Sequence, residues 1–213
     1  MKRAKSNWMR EHVTDPYVRR ARAEGYRSRA AFKLLEIART DQLFRPGMLV
    51  VELGSAPGSW SQVAARAVGP AGRVVATDLL PMEPLSGVHF LQMDVRSADA
   101  MQRLGGALEG PADLVLCDMA PNLSGVASTD QARSRELCEL ALEFTRGHLK
   151  PGGALLVKAF QGSGFREFLG AMRESFDTVT SRKPRASRGR SAEVYLLGKG
   201  FKGAREPGRQ AKA

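Results

Sequence analysis

The chain has 213 residues, enough for one sizeable α/β domain and too few for two. Its formal charge of +11 is unevenly spread: residues 1–33 carry ten Lys/Arg against three acids, residues 34–179 thirteen against seventeen, and residues 180–213 ten against two. Basic flanks around a mildly acidic centre point to a polyanionic partner, nucleic acid first, while the lack of a long apolar stretch excludes a membrane span.

In chain order, residues 1–27 read as a basic extension. A helix is predicted over Ser28 to Arg39, where Ala31, Leu34, Leu35 and Ala38 recur at helical spacing, with Ser28 as its cap and Arg45-Pro46-Gly47 beyond its end. Seven short apolar runs follow: Leu49 to Leu53, Arg73 to Thr77, His89 to Gln92, Asp113 to Cys117, Ala154 to Val157, Thr178 to Ser181 and Val194 to Leu197. Helical segments at Ser61 to Val68, Ala98 to Leu108, Ser134 to Leu149 and Phe165 to Phe176 separate most of them. Such alternation predicts a mainly parallel seven-stranded sheet with helices on both faces. The last two runs leave no room for a helix and predict an antiparallel hairpin. Residues 28–198 then form the domain, and residues 199–213 a basic tail expected to lack fixed structure, since Lys202 to Ala213 is almost without apolar residues.

Ligands of such a sheet bind beyond the carboxyl ends of its strands. The residues there are a Gly54-Ser-Ala-Pro-Gly58 turn, Asp78, Asp94, Asp118 and Lys158. Gly54 and Gly58 allow a tight turn and close backbone approach to a ligand, although an ordinary strand-to-helix turn also uses glycine. Asp94 doubles as a candidate cap for the following helix. Asp78, twenty residues after Gly58, sits at the spacing of an acid that accepts hydrogen bonds from a ribose diol. The turn lacks the three-glycine spacing of a pyrophosphate site, and no basic residue lies between Gly54 and Ser61. With Glu52, Asp78, Asp94 and Asp118 around it, the site suits the cationic sulfonium of S-adenosylmethionine better than NAD or ATP.

Asp118-Met-Ala-Pro-Asn122 is similar to the Asn/Asp-Pro-Pro-Tyr loop of enzymes that methylate exocyclic base nitrogens, but Asn122 stands where the stacking aromatic would be. A hydroxyl acceptor fits better, with the methyl passing in line from sulfur to oxygen and a base removing the hydroxyl proton. Lys158, at a strand end, is the candidate base. It must first be neutral, through desolvation or a second nearby cation, for which Lys33 is the candidate. Taken alone, Lys33 reads equally as a solvated helix residue, and Glu193 more readily as a solvated strand-end acid. Base methylation and a non-catalytic RNA-binding role in ribosome assembly stay open.

Several motifs in order resemble one family: Arg27-Ser-Arg-Ala-Ala-Phe-Lys33-Leu, Gly54-Ser-Ala-Pro-Gly-Ser-Trp60-Ser-Gln, Asp78-Leu-Leu-Pro-Met82, Asp118-Met-Ala-Pro-Asn-Leu-Ser-Gly125, Val157-Lys158-Ala-Phe-Gln-Gly162 and Ser187-Arg-Gly-Arg-Ser-Ala-Glu193-Val-Tyr195. From Trp8 to Leu197 the chain resembles the FtsJ/RrmJ (RlmE) ribosomal RNA methyltransferases. That resemblance implies a Rossmann-like S-adenosylmethionine-dependent methyltransferase fold. It also implies methylation of the 2′-oxygen of a uridine in the A-loop of 23S rRNA within the large ribosomal subunit. It implies a catalytic tetrad of Lys33, Asp118, Lys158 and Glu193, and cofactor contacts from Gly58, Trp60, Asp78, Asp94 and Asp118. Ser55 and Ser59 depart from the family's Gly-Ala-Ala-Pro-Gly-Gly-Trp, which strains the loop if position 59 takes a positive φ.

Within that frame Lys158 is expected to take the proton, Lys33 to favour its neutral form, Asp118 to orient Lys158 and the methyl donor, and Glu193 to steer the acceptor ribose. Phosphate contacts are expected from Arg19, Arg20, Arg22, Arg27, Arg29, Arg182, Lys183, Arg185, Arg188 and Arg190. His12, His89 and His148 stand apart from other ligand types, so no metal site is expected. Cys117 and Cys138 are expected as buried free thiols. Without an export signal the chain is expected to be a cytoplasmic monomer.

Overall fold

The computed structural model describes residues 15–122, 124–187 and 191–203. The elements run α1 (Pro16–Ala23), α2 (Ala31–Asp41), β1 (Leu49–Leu53), α3 (Ser59–Val68), β2 (Arg73–Asp78), β3 (Val88–Gln92), α4 (Ala100–Gly106) and β4 (Ala112–Cys117). They continue with α5 (Ala127–His148), β5 (Leu149–Phe160), α6 (Phe165–Ser175), β6 (Phe176–Arg182) and β7 (Glu193–Phe201). Seven strands form one sheet in the order β3-β2-β1-β4-β5-β7-β6. β1 to β5 pair in parallel, and β7 runs antiparallel to both neighbours, so the predicted mainly parallel sheet and terminal hairpin are both present. The predicted hairpin's second strand lies inside the sheet, between β5 and β6.

Each central strand is apolar on both sides, and its alternation feeds two cores. Val51, Leu53, Val115, Cys117, Leu155, Val157, Val194 and Leu196 face α4, α5 and α6, where Leu104, Leu142, Phe144, Phe168 and Met172 meet them. Val50, Leu114, Leu116, Leu156, Tyr195 and Leu197 face the other way, onto Ala31, Leu34 and Ile37 of α2 and Trp60, Val63 and Ala64 of α3. This parity has a functional consequence. Asp118 and Lys158 continue the phase of Leu116 and Leu156, and Glu193 that of Tyr195, so all three lie on the side where α2 packs.

The structure departs from the expected elements in five places, one of them β7, which runs on to Phe201 in the core, so residues 199–201 of the expected unstructured tail are strand. α1 was not expected: its eight residues carry little apolar periodicity, yet Asp15 caps it by accepting the Tyr17 N–H at 2.9 Å and Pro16 opens it. The described part of the N-terminal basic segment thus packs on the domain, through Ala21, Phe32 and Ala186. α2 begins at Ala31 with no side-chain cap; Ser28 Oγ instead pairs with Ser59 Oγ at 2.8 Å and accepts the Ala30 N–H at 3.2 Å. α5 starts seven residues before its predicted start at Ser134, because Asp130 in its first turn accepts the N–H groups of Ser124 and Gly125 at 2.7 and 3.0 Å and stabilises a polar opening turn. β5 spans twelve residues where four were expected, its first residue pairing with Ala112 before a register shift. Cys117 and Cys138 are buried free thiols. The predicted contacts Arg188 and Arg190, His12, residues 1–14 of the extension and 204–213 of the tail lie outside the described residues.

Candidate active site

The strand order reverses between β1 and β4, where β2 and β4 flank β1. Crossovers leave this point in opposite directions, so a crevice opens beyond the strand ends. Here it is a cavity of about 570 Å³ walled by Gly54, Ala56, Asp78, Leu79, Leu80, Met93, Asp94, Val95, Asp118 and Met119, with Arg96, Arg133 and Glu136 toward α5. Gly54 is required by close approach: at φ +80° a Cβ would fall 2.8 Å from Met119 N and 2.6 Å from Met119 Cγ. Asp78 ties the two loops of the wall together, Oδ2 accepting the Ala56 N–H and Oδ1 the Leu80 N–H, both at 2.8 Å. Each oxygen keeps a lone pair for a diol. Asp94 accepts the Arg96 backbone N–H at 3.0 Å and its guanidinium at 2.8 and 3.0 Å, and the Arg96 side chain holds its carboxyl below the usual carboxylate range.

Some of the groups expected at this pocket lie off its wall. Gly58 and Trp60 are not on its wall. Trp60, 1% exposed, packs its ring 5.6 Å from that of Tyr195 and donates Nε1–H to Ala30 O at 2.8 Å, so its side chain is part of the scaffold between α2 and β7. Glu52 does not add to the pocket's negative charge as supposed. It is buried against Ser61 Oγ. Burial pushes its carboxyl up to about 8, the Ser61 hydrogen bond pulling down and the charges of Asp118 and Asp78 pushing further up. Glu52 therefore carries a proton at neutral pH, and the acids that line the cavity are Asp78, Asp94, Asp118 and, on α5, Glu136. Ser59 is unstrained: among the described residues the non-glycine with positive φ is Gln42, at 49°.

Around Asp118, on the cavity wall, the four residues of the expected tetrad come together. Lys158 Nζ lies 3.0 Å from Asp118 Oδ1 and donates to Asp118 O at 2.5 Å, with only 8% of its side chain exposed. Lys33 Nζ lies 2.6 Å from Glu193 Oε1. The two ion pairs are joined by a residue absent from the expected set. Tyr195 donates its hydroxyl to Asp118 Oδ1 at 2.9 Å and accepts from Lys33 Nζ at 3.2 Å. Burial, then the charges of Asp118 and Glu193, hold its phenol well above the ordinary range, so it remains a donor. Its signals in the sequence were its place at the end of the Ser187 to Tyr195 motif and its position two residues past Glu193 on one strand face; the register sets it opposite Lys158.

Burial works to raise Glu193, but the charge and hydrogen bond of Lys33, with Lys158 and Ser187, outweigh it and keep the carboxyl below its usual range. Ser187 Oγ donates to Glu193 Oε1 at 2.9 Å. Asp118 is thus shared, lining the cavity on one side and holding Lys158 and Tyr195 on the other. The residues fit a cationic, diol-bearing ligand: carboxylates for charge and ribose, apolar Leu79, Leu80, Met93, Val95 and Met119 for a flat heterocycle, and no basic group in the glycine turn. Among the described residues no cluster of His, Cys, Asp and Glu is placed to hold a metal ion, and no helix is long and apolar enough to cross a membrane.

Several basic residues expected at a phosphate surface are engaged internally. Arg29 pairs with Asp15 and reaches Ala186 O. Arg182 forms a two-point pair with Asp41 at 2.7 and 2.9 Å. Arg27 donates to three backbone carbonyls. Arg20 pairs with Glu24 at 2.6 Å, and Lys183 Nζ donates to Ser191 O at 2.8 Å. Arg19, Arg22 and Arg185 are exposed.

Comparison with known proteins agrees with this geometry. Residues 26–201 match the family described as FtsJ-like methyltransferase. The chain is 60% identical over 203 residues to a ribosomal RNA large subunit methyltransferase E of Chromobacterium violaceum, covering 94% of this chain and 99% of that one. It is 62% identical over 201 residues to the Azoarcus sp. (strain BH72) protein of the same name, covering 93% and 98%. Among solved structures, a Plasmodium falciparum protein described as a ribosomal RNA methyltransferase superposes with a TM-score of 0.74 at 28% identity, covering 84% of this chain and all (100%) of that one.

Proposed function

The chain belongs to the FtsJ-like methyltransferase family, and from that premise we propose that it methylates a uridine 2′-oxygen in the A-loop of 23S rRNA, within the large ribosomal subunit. The observation that carries this reading is the sharing of Asp118 between the cavity and Lys158, which sets a proton acceptor beside a pocket for a cationic cofactor. S-adenosylmethionine, when bound, supplies an electrophilic methyl group on a sulfonium. Asp78, Asp94 and Asp118 hold it, Gly58 and Trp60 shaping the loop from behind. Residues 28–201, to the end of β7, are the catalytic domain of a cytoplasmic monomer.

Lys158 is the base. Once Lys158 has given up its own proton, its Nζ lone pair takes the 2′-hydroxyl proton, and Asp118 at 3.0 Å stabilises the ammonium that results. Tyr195 donates to the same carboxylate oxygen and fixes its direction. Lys33 makes its bonds to Glu193 and Tyr195, so it acts on Lys158 through Tyr195 and Asp118 and holds Glu193 to steer the acceptor ribose. Arg19, Arg22 and Arg185 contact phosphates and orient the RNA without reading sequence. Mass mapping of rRNA from large subunits lacking the modification, incubated with protein and S-adenosylmethionine, tests the assignment. A single methyl on the A-loop ribose is expected. A methyl on a base edge, or none with cofactor bound, would replace it with base methylation or a non-catalytic role.

A further inference from the structure

Arg27 lies between α1 and α2, in the basic N-terminal stretch where a phosphate contact was expected. Its guanidinium is turned to backbone carbonyls of its own chain. Nη1 donates to Pro57 O at 2.9 Å and to Glu83 O at 2.8 Å, and Nη2 to Pro84 O at 3.0 Å. Pro57 belongs to the glycine turn, while Glu83 and Pro84 belong to the loop after Asp78. Asp78 joins the same two loops from the cavity side, through Ala56 N and Leu80 N. The cavity mouth is therefore pinned at two levels, by a carboxylate accepting two N–H groups inside and a guanidinium donating to three carbonyls outside.

The surroundings hold the fork in place. The Arg27 backbone N–H donates to Gln62 Oε1 at 2.9 Å, and Gln62 Nε2 donates to Gly25 O at 2.9 Å, tying the segment to α3. Gly58, at φ +102°, leaves room for it: a Cβ there would sit 2.7 Å from Arg27 Nη1 and 2.7 Å from Met82 Sδ. The neighbouring bonds of Ser28 to Ser59 and of Trp60 to Ala30 O run between the same segments. Only a planar fork with several N–H groups spans three carbonyls on two loops; a lysine ammonium at the end of a flexible stem does not.

We propose that Arg27 is a positioning residue for the cofactor pocket, clamping the glycine turn to the loop after Asp78, and is not an RNA phosphate contact. This rests on the S-adenosylmethionine reading above. Its consequences are specific. Losing the clamp loosens the ribose-side wall and weakens cofactor binding. The charge at position 27 is then not one of those that set the salt dependence of RNA binding.

The test uses the full chain with Arg27→Lys and Arg27→Ala. S-adenosylhomocysteine binding is measured by calorimetry, and binding of an A-loop RNA stem-loop across a salt series. Both variants should bind S-adenosylhomocysteine about tenfold or more weakly. Cofactor KM should rise with kcat at saturation within about threefold of wild type, as for lost uniform binding. The slope of RNA affinity against salt should be unchanged. Because Arg27→Lys keeps the charge, it distinguishes the two roles even if Arg27→Ala folds poorly. Wild-type cofactor affinity in Arg27→Lys would overturn the proposal, as would an RNA salt slope lowered by about one in Arg27→Ala. Failure of the wild type to bind S-adenosylhomocysteine would instead overturn the cofactor reading.

Discussion

The proposed cofactor cavity and the proposed tetrad meet at Asp118 but are built differently. The cavity is made of loops whose carboxylates are held by backbone N–H groups: Asp78 by Ala56 and Leu80, Asp94 in part by Arg96. The tetrad is made of side chains holding side chains, brought from α2, β5, β7 and the end of β4 into a buried network. Backbone-held groups depend on local loop geometry. Side-chain networks depend on every member, because removing one leaves its partners buried and unsatisfied. The two regions should therefore fail in different ways, one in affinity and the other in turnover.

The sharpest break in that comparison is Lys158→Ala, expected to lower single-turnover methylation of large subunits by roughly 10³-fold while S-adenosylhomocysteine still binds. Lys158→Arg should be equally slow, since arginine keeps the charge but does not accept the proton. Near wild-type turnover in either would show that the base is elsewhere.

Next in size is Glu52, which belongs to neither region's surface but lies behind both. Its folded-state pKa, about 8, is above the ordinary glutamate value of 4.5, so between these values the folded state binds more protons and stability falls as pH rises. Glu52→Gln should remove a cost that grows to on the order of 4 kcal/mol by pH 8. Denaturant unfolding at pH 5 and pH 8 checks it: the variant's advantage should appear only at the higher pH. An equal difference at both would mean that Glu52 is not held neutral.

On the cavity side, Asp78→Asn should weaken cofactor binding by roughly 10- to 100-fold, because the amide loses the charge and part of the acceptor capacity for the diol. Its kcat at saturating cofactor should change little, which is the contrast with Lys158. Smallest is Tyr195→Phe, which keeps the packing against Trp60 but deletes the donor to Asp118. Turnover should fall by about tenfold, with cofactor affinity within twofold, a split read by steady-state kinetics beside calorimetry. A larger loss of cofactor affinity than of turnover would place Tyr195 with the cavity.

How much of this was legible depended on distance along the chain. The glycine turn, Asp78, Asp94 and Asp118 were found from spacing, because each follows its own strand. α1 was missed although Asp15-Pro16 is a helix-start signal, since eight residues with Val18 and Ala21 buried give too little periodicity to read. The tetrad was completed only through family resemblance, as Lys33 and Glu193 taken alone look like solvated residues. Tyr195 escaped even that. Glu52 reads as a fourth negative charge in the sequence, but burial in the folded chain favours its protonated form.

By itself, the sequence determined the alternation of strands and helices, the parallel sheet, the glycine turn and the acids at strand ends, because each follows from local periodicity or a few neighbouring residues. Only the tertiary structure decided which charges are spent internally. Arg27, Arg29 and Arg182 read as surface cations in the sequence but bind carbonyls or carboxylates within the chain. It also decided that Lys33 meets Glu193, 160 residues away, and that Tyr195 bridges them to Asp118. The reason is physical: a side chain's partner and its protonation depend on what packing brings beside it, and that is set by sheet order and strand register.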